Sequence, residues 1–489
     1  MPAGPRSSSP RHCTGMMTNQ EFRARAHELA DWMADYLEGI SAYPVKPGVR
    51  PGEILARLPL LPPEHGEPFD ALMADFNQII LPGITHWQHP MFFGYFPANS
   101  SPPSVLAEML TATLGAQCMS WTTSPAATEL EERVMQWLRG MIGLPESWEG
   151  VIQDTASTAT LCSVLTAREA RSGCAVNARG FDGSERFTVY CSTEAHSSIE
   201  KAVRIAGIGR QHLRTIEVDE AYAMIPASLE RAITGDIAEG HTPLAVIAAL
   251  GTTGSTAVDP LGDIADICAR HGLWLHVDAA YAGSALLLPE YRDLLAGIER
   301  ADSFVVNPHK WMFTNFDCSA YFVKDREALL RTFEILPEYL KTAERGEANN
   351  YRDWGVQLGR RFRALKLWFV IRTYGVEGLR ERLRSHCAMA RGLMERIRAE
   401  GDFELLAPVP FNVLCFRYHP PGLEEPERLN TLNAELMERL NSSGLLFLTH
   451  TKLNGRTTLR LVIGQTSVEQ THVDTAWEII RRTARELSR

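Results

Sequence analysis

The sequence predicts an α/β protein built on a mostly parallel β-sheet, with a helical segment before it and a small α+β domain after it. Three observations lead to this fold. Strand-like apolar runs alternate with amphipathic helical segments from Pro102 onward, a rhythm typical of βαβ units. Polar residues follow directly after two of the predicted strands. After Phe369 the alternation gives way to longer helices and shorter strands.

The first hundred residues predict helices without a sheet to cover them. Residues 1–17 are rich in Ser, Pro and Arg, so we expect them to be disordered, and Met1, Met16 and Met17 are each possible first residues. Residues 18–101 begin with a capping box, Thr18 to Glu21, and helices are predicted at 18–37, 54–58 and 68–80. Their surplus apolar surface indicates contact with another chain.

Residues 102–365 contain the predicted α/β domain. Helices are expected at 105–114, 127–141, 157–171 and in the segment closed by Gly272, and strands at 187–191, 245–250, 274–277, 303–306 and 320–323. Asp278 and Asn307 come just after two of these strands. Ligands of such folds bind at the carboxyl ends of the strands, so these positions are candidate site residues.

Residues 366–489 predict the small α+β domain. A long helix is expected to end near Ile397, followed by strands at 413–416, 445–448 and 458–462 and a final helix from Val473.

Lys310 has the most unusual setting in the sequence. It lies in Ala301–Asp325, between the apolar runs Phe304–Val306 and Trp311–Phe313. Burying an unpaired ammonium is costly, and a desolvated lysine has a lowered pKa and becomes a nucleophilic amine suited to condensation with an aldehyde. The alternative is a lysine at a strand end whose amine reaches solvent. Asp278 and His196 favour the first interpretation, because a pyridoxal site needs a lysine, a carboxylate for the ring nitrogen, a flat group on the ring and an anion cradle.

Composition excludes several classes of protein. The formal net charge of -10 argues against nucleic-acid binding, which needs a basic surface. The nine scattered cysteines favour reduced, buried thiols in the cytoplasm. No apolar run is long enough to span a membrane. We predict no metal site, since His86 and His89 form the one tight histidine pair and lack evident further ligands.

Eight segments spread from Thr85 to Phe369 resemble one family: THWQHPMFFGYFPANSS, SWTTSPAATELE, VIQDTASTATL, AHSSIEKA, LGTTG, WLHVDAAYAGSA, NPHKWMFTNFDCSA and RDWGVQLGRRFRALKLWF. They are similar to the aromatic L-amino acid decarboxylases among the group II pyridoxal-dependent decarboxylases. The resemblance implies the fold of the type I PLP-dependent transferases, pyridoxal 5'-phosphate (PLP) as cofactor, and a homodimer whose subunits meet through the N-terminal helices.

The resemblance also implies roles for individual residues. Lys310 would hold the cofactor, Asp278 would pair with the pyridine nitrogen, and His196 would stack on the ring. The predicted cofactor-binding set is Thr155, Ala156, Ser157, His196, Thr253, Asp278, Ala280, Asn307, His309 and Lys310. Thr155 to Ser157 would hold the phosphate at a helix N-terminus. Where the family commonly has Gly-Ser-Ala-Ser-Glu, this chain has Asp154 to Thr158, and the Asp154 carboxylate would repel a dianion unless it points away.

The reaction and substrate are also implied by resemblance. Residues 334–353 are polar and aperiodic, so we expect a mobile loop, and its Tyr339 matches the tyrosine that donates a proton in the decarboxylases. Aldehyde synthases tend to carry phenylalanine there. The predicted substrate pocket is Trp87, Tyr95, Phe96, Pro97, Gln117, Met119 and Gly359. The expected reaction is decarboxylation of DOPA, tyrosine, tryptophan or 5-hydroxytryptophan to the amine and CO2. The alternatives are an aromatic aldehyde synthase and a histidine- or glutamate-type decarboxylase.

Overall fold

The computed structural model describes residues 17–335 and 348–488. Nearly all of the segment predicted to be disordered, residues 1–16, lies outside this part of the chain. Within the described ranges, none of the helices combines the length and the apolar character that crossing a membrane requires.

A seven-stranded sheet forms the centre of the molecule. Its strands are β1 (Glu149–Gln153), β2 (Phe187–Ser192), β3 (Leu213–Ile216), β4 (Thr242–Ala249), β5 (Trp274–Asp278), β6 (Ser303–Val306) and β7 (Ser319–Val323). Their order is β1-β7-β6-β5-β4-β2-β3, and β7 alone runs against the others. The predicted mostly parallel sheet is therefore confirmed. Sequence patterning predicts neither β1 nor β3; β3 has only four residues, of which Ile216 alone is buried.

Helices precede the sheet and cover its faces. They are α1 (Asn19–Glu38), α2 (Glu53–Arg57), α3 (Phe69–Asp75), α4 (Pro102–Leu114), α5 (Pro125–Ile142), α6 (Ala156–Ser172), α7 (Ala175–Arg179), α8 (Ser198–Ile205), α9 (Pro226–Ala238), α10 (Leu261–His271), α11 (Pro308–Trp311) and α12 (Arg326–Phe333). The capping box of α1 is present, with Thr18 and Glu21 each accepting the other's backbone N–H. Helices α1 to α3 bury no residue completely, as their surplus apolar surface predicted.

The C-terminal part contains a second, antiparallel sheet. Its elements are α13 (Arg363–Ala399), β8 (Phe403–Leu405), β9 (Val413–Tyr418), α14 (Pro426–Ser442), β10 (Thr449–Leu453), β11 (Arg456–Val462) and α15 (Gln470–Leu487). The strand order is β10-β11-β9-β8. Helix α13 runs across the predicted boundary at 365/366 and is kinked at Gly375, whose φ of 64° and ψ of 170° break the helix.

The strand predicted at 445–448 is wrong, because β10 begins only at Thr449. The apolar run that suggested a strand pairs instead with the segment before α4. Phe447 donates its backbone N–H to the Met91 carbonyl and accepts one from Phe93, at 3.2 and 2.9 Å. Leu446 and Leu448 are buried in the core that packs on the second sheet, so their burial does not require this segment to be one of its strands.

The segment after Phe93 joins the two sheets beside Lys310. Asn99 donates from Nδ2 to the carbonyl oxygens of Lys310 at 2.5 Å and Gly464 at 2.7 Å. The backbone N–H of Asn99 also reaches the His309 carbonyl at 3.1 Å. The chain around Lys310 is therefore held between both sheets.

The prediction of a mobile loop at 334–353 does not hold at its C-terminal end. Residues 336–347 lie outside the described part of the chain. Tyr351, Arg352 and Asp353 form a buried 3-10 turn, so a mobile loop is the wrong description for them. The Tyr351 ring packs against the Arg360 guanidinium at 4.8 Å and edge-on against Trp354.

A buried ion pair ties this region to the sheet. Arg360 donates from Nη2 to Glu131 Oε1 at 2.6 Å and to the Ile152 carbonyl at 2.7 Å, and the Arg360 and Glu131 side chains are only 5% and 3% exposed. Glu131 Oε1 also accepts the Ile152 N–H at 2.9 Å. One pair thus joins α5, β1 and the chain before α13.

We expect Glu131→Ala to destabilise the protein by about 3 kcal/mol or more, because it leaves a buried guanidinium without its counter-charge. The matched control is Glu435→Ala, which breaks a half-exposed glutamate–arginine pair with Arg439 and should cost less than about 1 kcal/mol. Thermal unfolding followed by circular dichroism measures both. Equal shifts in midpoint for the two variants would contradict a structural role for the buried pair.

Candidate active site

A cavity of about 240 Å³ opens at the carboxyl ends of the parallel strands. All ten residues predicted to bind the cofactor line it. The full lining is Phe96, Thr155, Ala156, Ser157, His196, Ser198, Ala249, Gly251, Thr252, Thr253, Asp278, Ala280, Tyr281, Asn307, His309, Lys310 and Phe316. Residues separated by more than 150 positions therefore meet in one place, at the sheet edge where the fold predicts a ligand.

Lys310 extends into this cavity from the short helix α11. The helix begins where β6 ends, and the Lys310 N–H donates to the Asn307 carbonyl at 2.9 Å. Burial lowers the pKa of the Lys310 amine to about 8, the Asp278 carboxylate acts in the opposite direction, and Arg460 adds to the lowering. The amine lies 5.2 Å from the centre of the Phe96 ring. The neutral, nucleophilic fraction of Lys310 near neutral pH is thus much larger than that of an exposed lysine.

Asp278 faces the cavity from the end of β5. This strand lies between β4 and β6, with Asp278 beside Ala249 and Val305, so the backbone that carries the carboxylate is fixed on both sides. Asp278 Oδ1 accepts the Ala280 N–H at 3.1 Å. This hydrogen bond orients the carboxylate. Among the residues that line the cavity, Asp278 is the only acidic one.

The ring nitrogens of His196 have distinct roles. Nδ1 lies 3.1 Å from the Ser198 backbone nitrogen and 2.7 Å from its hydroxyl. Since a backbone N–H can only donate, Nδ1 is an acceptor and the neutral ring carries its proton on Nε2. Burial lowers the pKa of His196, with a smaller opposing effect of Asp278. His196 is therefore a neutral, flat ring at the cavity wall.

The predicted phosphate turn stands at the N-terminus of α6. Thr155 is the N-cap, with its side chain accepting the Thr158 N–H, so the N–H groups of the first helical turn are directed outward. Asp154 does not line the cavity: Oδ1 accepts the Thr155 N–H at 2.6 Å, and Oδ2 accepts from Gln357 Nε2 at 2.7 Å. The Asp154 carboxylate therefore points away from the cavity, which is the condition under which it would not repel a dianion.

His309 completes the turn side of the cavity. Its Nδ1 accepts the Cys318 N–H at 2.9 Å, which leaves the proton on Nε2. Burial lowers the pKa of His309 to about 3, with a further lowering by Lys310. Ser319 donates to Asn307 Oδ1 at 2.6 Å and fixes that amide. Both side chains are therefore oriented donors.

The residues present fit pyridoxal phosphate. The cavity contains an amine for the aldehyde, a carboxylate for the ring nitrogen, a flat ring for stacking and a helix N-terminus with hydroxyls for the phosphate. The Asp278 carboxylate, the His196 ring and the Thr155 side chain are already oriented by hydrogen bonds from backbone N–H groups.

Unlike the predicted cofactor-binding residues, most of the predicted substrate residues do not line the cavity. Phe96 lines the cavity, where it stacks on Tyr281 with 3.8 Å between ring centroids. Trp87 and Tyr95 stack on each other, and Tyr95 is 54% exposed. The other predicted residues also lie elsewhere in the single chain: Pro97 beside Gly464, Gln117 beside Gly359, and Met119 bonded through its carbonyl to Arg352. Tyr339 lies outside the described residues.

Sequence reasoning missed Arg460, which reaches the site from β11. Its guanidinium lies 4.5 Å from the Phe96 ring centroid and donates to the carbonyls of Gly254 at 3.0 Å and Tyr95 at 2.6 Å. Its remaining nitrogen, Nη2, is buried and has no hydrogen-bond partner among the described residues. Burial lowers its pKa. No local pattern marks this position, because it lies 150 residues from Lys310 in the other sheet.

Comparison with known families places this chain clearly. Residues 51–419 match the family described as "Pyridoxal-dependent decarboxylase conserved domain". Phenylacetaldehyde synthase of Arabidopsis thaliana is 43% identical over 96% of both chains. A tryptophan decarboxylase of Camptotheca acuminata is 42% identical over 95% of both.

Solved structures are similar over nearly the whole chain. The crystal structure of Oryza sativa TDC with PLP and tryptamine superposes with a TM-score of 0.93 at 39% identity, covering 96% of this chain and 99% of that one. Rhodiola rosea 4-hydroxyphenylacetaldehyde synthase gives 0.89 at 36% identity, covering 96% and 99%. The predicted fold is thereby confirmed.

We expect Asp278→Asn to lower the pKa of Lys310 below its value of about 8, because the variant removes the charge that favours the ammonium. At pH 7 roughly one amine in ten is neutral in the native protein, and the neutral fraction should rise severalfold. NMR titration of the cofactor-free protein after reductive ¹³C-methylation measures this, with the resonance assigned by its loss in Lys310→Ala.

The matched control is Asp259→Asn. Asp259 is a buried carboxylate that accepts the N–H groups of Met224 and Ala249 and does not line the cavity. This variant should leave the Lys310 pKa unchanged. A similar shift in both variants would show that the Asp278 effect is not specific.

Proposed function

Because this chain belongs to the pyridoxal-dependent decarboxylase family, we propose that it converts an aromatic L-amino acid to the corresponding arylalkylamine and CO2. The observation that carries the proposal is the meeting of Lys310, Asp278, His196 and the phosphate turn in one cavity. The substrate class rests on relatives named for tryptophan and tyrosine. We include DOPA and 5-hydroxytryptophan in the class without ranking its members.

Each residue of the cavity would have a separate role in the reaction. Pyridoxal phosphate, when bound, supplies the electron sink that accepts the bonding pair left when CO2 departs. Lys310 would hold the aldehyde carbon through its amine. Asp278 would accept a hydrogen bond from the protonated ring nitrogen and keep that proton in place. The neutral His196 ring would cover one face of the cofactor and exclude water there.

Phosphate binding would use the start of α6. The Ala156 and Ser157 backbone N–H groups and the Thr155 and Ser157 hydroxyls are available donors, and the helix dipole favours an anion. His309 would donate from Nε2, since its Nδ1 is occupied by Cys318. Thr253 and Ala280 would bound the ring, next to Asp278.

Arg460 is the best-placed group for the substrate carboxylate. A buried guanidinium with a nitrogen lacking a partner is costly unless a ligand completes its hydrogen bonds. Phe96 would pack between this charge and the Lys310 amine, as both lie near its ring. A planar aromatic substrate suits this neighbourhood.

The second candidate function is an aromatic aldehyde synthase. It is favoured by the 43% identity with phenylacetaldehyde synthase of Arabidopsis thaliana. We propose the decarboxylase because position 339 is tyrosine, the residue that resembles the proton donor of the decarboxylases, rather than phenylalanine. The hydroxyl would return a proton to the carbon that has lost CO2.

The purified protein with pyridoxal phosphate should release amine and CO2 in equal amounts from a panel of aromatic amino acids, with no aldehyde or peroxide. Lys310→Ala should lower kcat/KM by a factor on the order of 10³ or more and abolish covalent attachment of the cofactor.

Tyr339→Phe should raise the aldehyde-to-amine ratio, because it removes the proton donor. Amine is measured by chromatography, and peroxide by a coupled assay. Stoichiometric aldehyde from the native chain would favour the synthase.

We also infer a cytoplasmic homodimer that binds neither nucleic acid nor membranes. Seven of the eight described cysteines are buried free thiols, which suits a reducing compartment. Apolar side chains at i, i+4 and i+8 of α4 stand exposed: Leu106 at 55%, Leu110 at 46% and Leu114 at 64%. Leu60 and Leu61, between α2 and α3, are 96% and 75% exposed. Such surface would be covered by a second copy of the chain.

Leu110→Glu should weaken dimerisation at least about tenfold, because it places an unpaired carboxylate where the apolar face would be buried. Ile237→Glu is the matched control, since Ile237 is exposed to nearly the same degree, 48%, but stands on α9. Sedimentation equilibrium over a range of concentrations measures both. An unchanged dissociation constant for Leu110→Glu would exclude this face of α4 from the interface.

A further inference from the structure

The phosphate turn contains a feature that the proposed function does not use. Asp154 precedes Thr155, at a position where the resembled family commonly has glycine. A carboxylate beside a dianion raises the free energy of the complex through like-charge repulsion. Among the described residues, no arginine, lysine or histidine forms an ion pair with Asp154; Arg363, which is close enough to sense its charge, is paired with Asp317 at 3.0 Å.

Both oxygens of Asp154 are nevertheless occupied. Oδ1 accepts the Thr155 N–H at 2.6 Å, and Oδ2 accepts from Gln357 Nε2 at 2.7 Å. The first bond is local, between adjacent residues. The second joins positions 203 apart, and it is the hydrogen bond recorded for Oδ2, while Asp154 is absent from the cavity lining.

Gln357 is presented by a well-anchored stretch, residues 349–363, which we call the strap. Asn349 donates to Glu132 at 3.2 Å, Gln153 donates to the Trp354 carbonyl at 3.1 Å, and Arg360 is bound to Glu131. At Gly355 the strap lies so close to the end of β1 that an added Cβ would stand 2.7 Å from Gln153 Nε2. The backbone on both sides of Gln357 is therefore anchored to the body of the domain.

We propose that Gln357 is a positioning residue for cofactor binding: it retains the Asp154 carboxylate outside the cavity and so sets the affinity of the turn for the phosphate. The proposal rests on the assignment of residues 155–157 as the phosphate site. Gln357 acts through Asp154 and touches neither cofactor nor substrate. Its effect depends on the charge of Asp154 and on the charge of the ligand.

The test measures binding to the full-length, cofactor-free protein by fluorescence titration, with pyridoxal phosphate and with pyridoxal, which lacks the phosphate. Gln357→Ala should weaken pyridoxal phosphate binding about tenfold, the size expected for losing a hydrogen bond to a charged group. Gln357→Met, which keeps the volume without a donor, should show the same loss. Binding of pyridoxal should be unchanged in both.

Asp154→Asn should bind pyridoxal phosphate at least as tightly as the native chain, and adding Gln357→Ala to it should cause no further loss. Gln153→Ala is the matched control, because it removes a neighbouring bond between the same strap and the same strand end without touching Asp154. Circular dichroism verifies that each variant is folded.

Three outcomes would overturn the proposal: an equal loss in Gln153→Ala, a loss from Gln357→Ala that persists beside Asp154→Asn, or an equal loss for pyridoxal. Each would mean that the strap acts through packing rather than through charge. Native protein that bound no pyridoxal phosphate would instead refute the proposed function, and the role of Gln357 with it.

Discussion

The structure depends on burying the Lys310 amine while one carboxylate, that of Asp278, stays close enough to act on it electrostatically. Burial lowers the pKa of the amine to about 8, and Asp278 limits the effect. Without burial the amine would be almost completely protonated at neutral pH, and without Asp278 the cavity lining would contain only cationic and neutral groups near the amine. The parallel sheet provides this balance, because strands β5 and β6 end side by side and deliver Asp278 and the start of α11 to the same edge.

Groups from distant parts of the chain stabilise that edge. Asn99 bonds the Lys310 carbonyl to Gly464, the strap bonds β1 to α5, and Arg460 extends from β11 to Phe96. Each contact replaces water around a backbone carbonyl or a buried charge. Because of these contacts, the hydrogen-bond donors of a cavity formed by loops between strands are held in fixed positions. Preorganised donors bind an anion at a lower entropic cost than mobile ones.

Local sequence determined the cofactor side of the site better than the rest. Asp278 and Asn307 could be placed because a strand that ends in a polar residue has a readable pattern, and the Thr155 to Ser157 turn because a helix start has one. Arg460 could not, since its neighbours predict only a buried strand and its partner is a ring 364 residues away. The strand predicted at 445–448 failed because burial against a sheet and burial within a sheet produce the same apolar run.

The substrate side follows a different logic. Of the seven residues predicted there, Phe96 alone lines the cavity within the chain, whereas Tyr95 and the leucines of α4 are exposed. A pocket that binds a planar side chain needs apolar surface against both faces of that side chain. These exposed apolar residues precede Lys310 in the chain. If these residues face a second copy, closing the dimer and completing the pocket are one event, and substrate choice is then a property of two chains. The proposed cofactor-binding residues are already brought together in one chain, so cofactor binding would not share this dependence.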